Sequence, residues 1–113
     1  MPSARLDKVN SVLHHELAQA VNRHLEMDGV LVTVTEVDCS PDLREAKIWF
    51  SVLPDKFLGT VLKKLRHISG PVAHELRKRL KFRQMPTFHW EFDSREVRAA
   101  ELEDVFHELA KEE

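Results

Sequence analysis

The chain has 113 residues, 42% hydrophobic and 32% charged, with a formal net charge of -2. That length suits one domain able to bury about two-thirds of the surface its unfolded form exposes, and the lone Cys39 excludes an internal disulfide and any multi-cysteine zinc site. No apolar run approaches the roughly 18 residues that span a bilayer. Met1-Pro2-Ser3-Ala4-Arg5 has neither an apolar signal core nor an Arg-rich transit pattern, so a cytoplasmic protein with no membrane partner is expected.

Leu6, Val9, Val12, Leu13, Leu17, Ala20, Val21 and Leu25 recur at three- and four-residue steps. They predict one apolar stripe on a helix of about five turns, with Ser3 as its N-cap and Asp28-Gly29 as its end. A strand follows in which Val32 and Val34 share one face while Val37 and Cys39 have the opposite parity. A regular strand cannot bury both pairs on one side, which predicts a bulge near Thr35-Glu36. The polar turn Ser40-Pro41-Asp42-Leu43 leads into a second strand, where Ala46, Ile48, Phe50 and Val52 alternate with Glu45, Lys47, Trp49 and Ser51. Such alternation marks a sheet covered on one side only.

Beyond the loop Leu53-Pro54-Asp55, the residues Leu58, Val61, Leu62, Leu65 and Ile68 form a second helical stripe. Ser69-Gly70-Pro71 predicts a break, with Pro71 in the first turn of a third helix that faces Val72, Leu76 and Leu80 inward. Pro86 forces an extended approach to a last strand, Thr87 to Asp93, whose Phe88, Trp90 and Phe92 point to the core. Leu102, Val105, Phe106 and Leu109 suggest a final helix. The order is α-β-β-α-α-β, and a right-handed crossover places the last strand parallel to a neighbour. A three-stranded sheet with the helices packed on one face results, a two-layer α+β sandwich.

The net charge conceals a segregation. Residues 56 to 90 hold Lys56, Lys63, Lys64, Arg66, Arg77, Lys78, Arg79, Lys81 and Arg83 against the single acid Glu75, whereas residues 91 to 113 are dominated by Asp and Glu. Five cations within Arg77 to Arg83 exceed what helix-dipole compensation needs, and such a concentration suits a phosphate backbone whose counterions it displaces. Ser69-Gly70 is expected to offer backbone N–H groups at a helix N-terminus, where phosphate oxygens bind. The RNA-binding candidates are therefore Lys63, Lys64, Arg66, Ser69, Gly70, Arg77, Lys78, Arg79, Lys81 and Arg83. His67 and His74 flank the break and add charge when protonated.

The order of elements is that of the type II KH fold, and the sequence resembles the ribosome-binding factor A family from about Arg5 to Asp93. The resemblance rests on Val32-Thr33-Val34-Thr35 with Val37, on Ser40-Pro41-Asp42-Leu43 with Ala46-Lys47-Ile48, on Ser69-Gly70, and on Phe82-Arg83-Gln84-Met85-Pro86 leading to Phe88 and Asp93. In that family an interhelical Ala-x-Gly replaces the KH Gly-x-x-Gly clamp. Here it reads Ile68-Ser69-Gly70, and Ala73 stands where an Arg is frequent. The resemblance implies a KH-like RNA-binding domain over residues 1–96, an acidic C-terminal helix or tail over 97–113, and a monomer that binds the small ribosomal subunit and 16S rRNA during late maturation.

Nothing points to catalysis, a cofactor or a small-molecule substrate. The seven histidines, His14 and His15 among them, lack metal-ligand spacing. Cys39 has no evident base and reads as a buried thiol, and no glycine-rich nucleotide loop is present. Trp49 on the open sheet face is expected to pack against a neighbour, with base stacking as the alternative. Other readings stay open: a protein–protein adaptor docking through the open sheet face, a small enzyme using Cys39 or a histidine, for which the sequence supplies no accompanying base, and a KH-type binder of another structured RNA. The charge split further predicts that the tail competes with RNA for the basic helices. Truncation after Ser94 should then tighten RNA binding in a filter-binding assay, and unchanged affinity removes the idea.

Overall fold

Burial of one stripe per helix against one face of a sheet organises the chain. The computed structural model describes residues 4–95. Helix α1 (Ala4–His24) buries Leu13, Leu17, Ala20 and Val21. Leu13 and Leu17 are completely covered, each contributing about 1.5–3 kcal/mol relative to exposure. Strands β1 (Leu31–Cys39) and β2 (Glu45–Leu53) form an antiparallel hairpin, and β3 (Thr87–Phe92) lies parallel to β2, so β2 is central. The parallel pair requires a crossover, and helix α2 (Leu58–Leu80) supplies it after a short 3-10 turn at Asp55–Phe57. This is the expected α+β class, with a mixed three-stranded sheet.

The bulge lies where the parity of the valines places it. Val34 pairs with Phe50 and Glu36 with Trp49, leaving Thr35 out of the ladder. Val32, Val34, Val37 and Cys39 are all buried as a result. Polar groups along β1 are satisfied from outside the ladder, as buried polar atoms must be. His14 Nε2 donates to the Val34 carbonyl at 2.8 Å. One turn earlier on α1, Asn10 Oδ1 accepts from the Cys39 amide at 2.8 Å. The Thr35 hydroxyl donates to Asp93 Oδ2 at 2.8 Å.

Under the helices the aromatics of the two parallel strands meet edge to face. Phe50 stands 6.4 Å from Trp90 and 6.1 Å from Phe92, and Phe88 stands 6.1 Å from Trp90. Phe50 and Trp90 are buried, whereas Phe88 and Phe92 are half-buried at the margin of the core. On the open face the charges pair across strands: His89 with Glu45 at 3.4 Å and Lys47 with Glu91 at 3.9 Å. Trp49 lies half-buried among them, opposite Glu36 and Glu91.

The expected pair of helices is corrected. α2 runs unbroken for 23 residues with Pro71 inside it. Local punctuation is overridden because Val61, Leu65, Val72 and Leu76 form one stripe buried against the sheet on both sides of Ser69-Gly70-Pro71. Proline already has a helical φ, but it removes the bond to the carbonyl four residues back, His67, and its ring crowds that carbonyl, a cost the shared buried stripe outweighs. Both Pro71 and His67 are on the exposed side, open to solvent. The Ser3 cap and the helix suggested by Leu102, Val105, Phe106 and Leu109 lie outside the described residues.

Asp93 closes the sheet. Its amide donates to the Phe50 carbonyl at 2.8 Å, and Arg95 binds its carboxylate through Nε and through Nη2 at 2.7 Å. The Arg95 bonds first, then the Thr35 hydroxyl, hold the Asp93 carboxyl well below the usual carboxylate range, against the opposing effect of burial. A depressed folded-state pKa gives stability that is present above the unfolded value of 3.8 and is lost as pH falls below it. Asp93→Asn should therefore lower the urea midpoint at neutral pH and flatten its decline below about pH 4. An unchanged decline would show that other carboxylates drive acid unfolding.

Candidate nucleic-acid interface

Because α2 is one helix, the cations read as lying across a break share a single axis. Steps of four and three residues from Lys63 through His67, Gly70, His74 and Arg77 keep to one face, with Lys78 beside it. All of these are exposed, as are Lys64, Arg66, Lys81 and Arg83. From Lys63 to Lys81 the face extends about 27 Å at helical rise. Among the described residues none of Lys63, Lys64, Arg66, Arg77, Lys78, Lys81 and Arg83 enters an ion pair.

Two acids of the helix pair, Glu75 and Glu16, meet cations along the seam between α1 and α2. Glu75 receives Arg23 at 2.9 Å and His24 at 2.7 Å. The His24 bond, followed by those of Arg23, holds its carboxyl below the ordinary range. Glu16, nearly covered at 13% side-chain exposure, meets Arg79 Nε at 3.2 Å, off the hydrogen-bond axis. Arg79 thus faces α1, away from Lys63 and Arg77, and its charge serves the seam. It is the one cation of the run Arg77 to Arg83 that the fold turns aside.

Ser69 and Gly70 have different roles from those expected. Both are interior to α2, where amides donate to carbonyls four residues back and offer nothing to a phosphate. The Ser69 hydroxyl donates to the Leu65 carbonyl at 2.8 Å and accepts from Trp90 Nε1 at 2.6 Å, pinning the helix to β3. Gly70 faces outward with open space where a Cβ would stand, so it leaves the middle of the cationic face low.

Two concavities border this face. One, of ≈ 880 Å³, lies between the end of α1 and the first half of α2 and brings His24 to Lys63, Lys64 and Arg66. A smaller hollow of ≈ 390 Å³ joins His74 and Arg77 to Arg83 and Gln84. Sequence reasoning missed His24 and Gln84, because only the packing of α1 and of the α2–β3 connection brings them to the cations. Cys39 is buried, and desolvation, then Asp38, pushes its thiol pKa up, the wrong direction for a nucleophile. Among the described residues no group of three His, Cys, Asp or Glu side chains could hold a metal ion, and no helix is long and apolar enough to cross a membrane.

The C-terminus of α2 is capped by Lys81 in the left-handed conformation, with φ 56. That position suits glycine and costs another residue about 1 kcal/mol. Lys81→Gly should raise the urea midpoint by an equivalent of about 1 kcal/mol while weakening RNA binding. A fall in both would make the Lys81 side chain a structural element.

Comparison with known proteins agrees with this architecture. The family model for ribosome-binding factor A matches residues 5–106. A ribosome-binding factor A from Akkermansia muciniphila is 31% identical over 109 residues, 96% of this chain and 87% of that protein. The crystal structure of ribosome-binding factor A from Thermus thermophilus superposes with a TM-score of 0.68 at 19% identity, covering 77% of this chain and 93% of that one. A homology model of the Thermus thermophilus protein, fitted into the cryo-EM map of its complex with the 30S subunit, gives 0.62 at 19% identity over 74% and 90% of the two chains. The likeness shows the fold, the KH-like α+β sandwich.

Proposed function

The chain belongs to the ribosome-binding factor A family, and from that premise we propose that it binds the small ribosomal subunit as an assembly factor, holding 16S rRNA during late maturation through the outward face of α2. The observation that carries this reading is the segregation of charge. One helix gathers Lys63, Lys64, Arg66, Arg77 and Lys78 without an ion-pair partner among the described residues, while Glu75 and Glu16 are engaged along the seam with α1. A polyanion meets an uncompensated surface, and each phosphate it contacts releases counterions.

The protein works by binding, as a cytoplasmic monomer and without catalysis: it stabilises one conformation of the RNA and departs. Lys81 and Arg83 extend the grip past the helix end; Arg79, Ser69 and Gly70 support it through packing and shape. An adaptor role for the open sheet face draws on Leu31 and Leu53, paired across β1 and β2 and 60% and 51% exposed. On that face Glu36, Asp38, Glu45 and Glu91 outnumber Lys47 and Arg95, so it would repel a polyanion, and neutralising the α2 cations separates the two readings.

Co-sedimentation with purified small subunits across a salt series tests the assignment. Arg77→Ala, Lys78→Ala and Lys81→Ala combined should weaken binding and reduce the slope of log affinity against log salt by about 2–3. Retained, salt-insensitive binding would move the interface to the sheet face.

A further inference from the structure

A second cleft, of ≈ 430 Å³, opens where the start of α1, the β1–β2 turn and the segment after α2 converge. Its walls are apolar: Val9 from α1, Leu43 from the turn, then Phe82 and the buried Pro86. Its rim is cationic, with Arg5, Lys81 and Arg83, and none of the three is ion-paired among the described residues. Asp42 also stands on the rim. Its Oδ1 accepts from the Ser40 hydroxyl at 2.6 Å and the Arg44 amide at 3.1 Å; Oδ2 carries no hydrogen bond among the described residues.

Backbone conformation singles out the same place. Leu43 (φ 59) and Lys81 (φ 56) are the non-glycine residues with positive φ among the described residues, and both line this cleft. Each holds a left-handed conformation that glycine would adopt freely. What the strain retains, and glycine would lose, is an apolar wall and a cation over one hollow. Such strain persists where the surroundings require the side chain.

The lining decides what fits. A free phosphate would be repelled by Asp42 and would leave the apolar walls unused. A purely apolar ligand would leave three cations idle. A nucleotide matches every feature: a flat ring for the walls, an anion for the rim, and an exocyclic amine for the open oxygen of Asp42. We propose that this cleft holds one unpaired nucleotide of the bound RNA, its base between Leu43 and Phe82 and its phosphate on Lys81, Arg83 and Arg5. The proposal rests on the RNA-binding reading and deepens it. The α2 face grips backbone charge without regard to sequence, and the cleft adds selection for an unstacked base.

Titration of the full chain with adenosine 5′-monophosphate, followed by amide NMR shifts and run beside inorganic phosphate, tests it. The nucleotide should bind with a dissociation constant on the order of 1 mM, shifting amides at Val9, Leu43, Phe82 and Gln84, and phosphate should bind several-fold more weakly. Val9→Phe fills the floor without removing charge and should weaken the response at least about tenfold. Leu43→Gly, which removes a wall while relieving strain, should do the same if Val9→Phe does not fold. Equal responses to nucleotide and phosphate, shifts confined to α2, no shifts, or indifference to both variants would each overturn the proposal. Because this titration uses no ribosome, an empty cleft leaves salt-dependent subunit binding standing. Failed co-sedimentation, in turn, counts against the ribosome reading alone.

Discussion

A strand can turn two pairs of apolar residues of opposite parity toward one layer only if a residue drops out of the ladder, and in this chain that residue is Thr35. Val32 and Val34 on one side of it, and Val37 and Cys39 on the other, all enter the core as a consequence. Polar groups along β1 tie the layers together. His14 takes the Val34 carbonyl while Asn10, four residues earlier, takes the Cys39 amide, so α1 clasps β1 on both sides of the bulge. The Thr35 hydroxyl reaches Asp93, beyond the end of β3, and so joins the two outer strands across the central one. A slip of one residue would break these contacts together and reverse the faces of the strand.

With α1 fixed in this way, the division of charge on the helical layer follows. The seam between α1 and α2 collects acids and the basic groups that neutralise them: Glu75 with Arg23 and His24, Glu16 with Arg79. What remains on the outward side of α2 is cationic. The near-neutral whole chain therefore presents a strongly polar distribution, and a partner senses the local field rather than the sum. The same layer ends in the cleft beneath Lys81, so charge recognition and shape recognition adjoin at one end of the helix.

The sheet was legible in the sequence because its signals are local and redundant. Alternation in Ala46, Ile48, Phe50 and Val52, the parity clash in β1 and the crossover rule together give strand order, register break and direction. The helical layer was less so. Ser69-Gly70-Pro71 carries every mark of a break, yet the stripe Leu65, Val72, Leu76 gains enough from the sheet to run through it. Ser69 looks like a phosphate ligand until Trp90, 21 residues away, takes its hydroxyl. Arg79 belongs to a basic run by sequence and to Glu16 by geometry. The cleft draws on Arg5, Leu43 and Lys81, positions that no periodicity links and that only tertiary packing unites.

The parallel pairing of β2 with β3 has a consequence for how the chain reaches this state. Until Thr87–Phe92 has been synthesised, β2 has a partner on one edge only, and a two-stranded hairpin alone is marginal. Ile48 and Phe50, destined for the centre of the sheet, meanwhile border a row of unmet amides and carbonyls, the template for wrong pairing. The intervening 23-residue helix separates the two strands in sequence, and such non-local pairing is slow to close. A nascent chain therefore cannot complete this sheet before Thr87–Phe92 is available. Until then the bare edge of β2 is open to pairing with another chain.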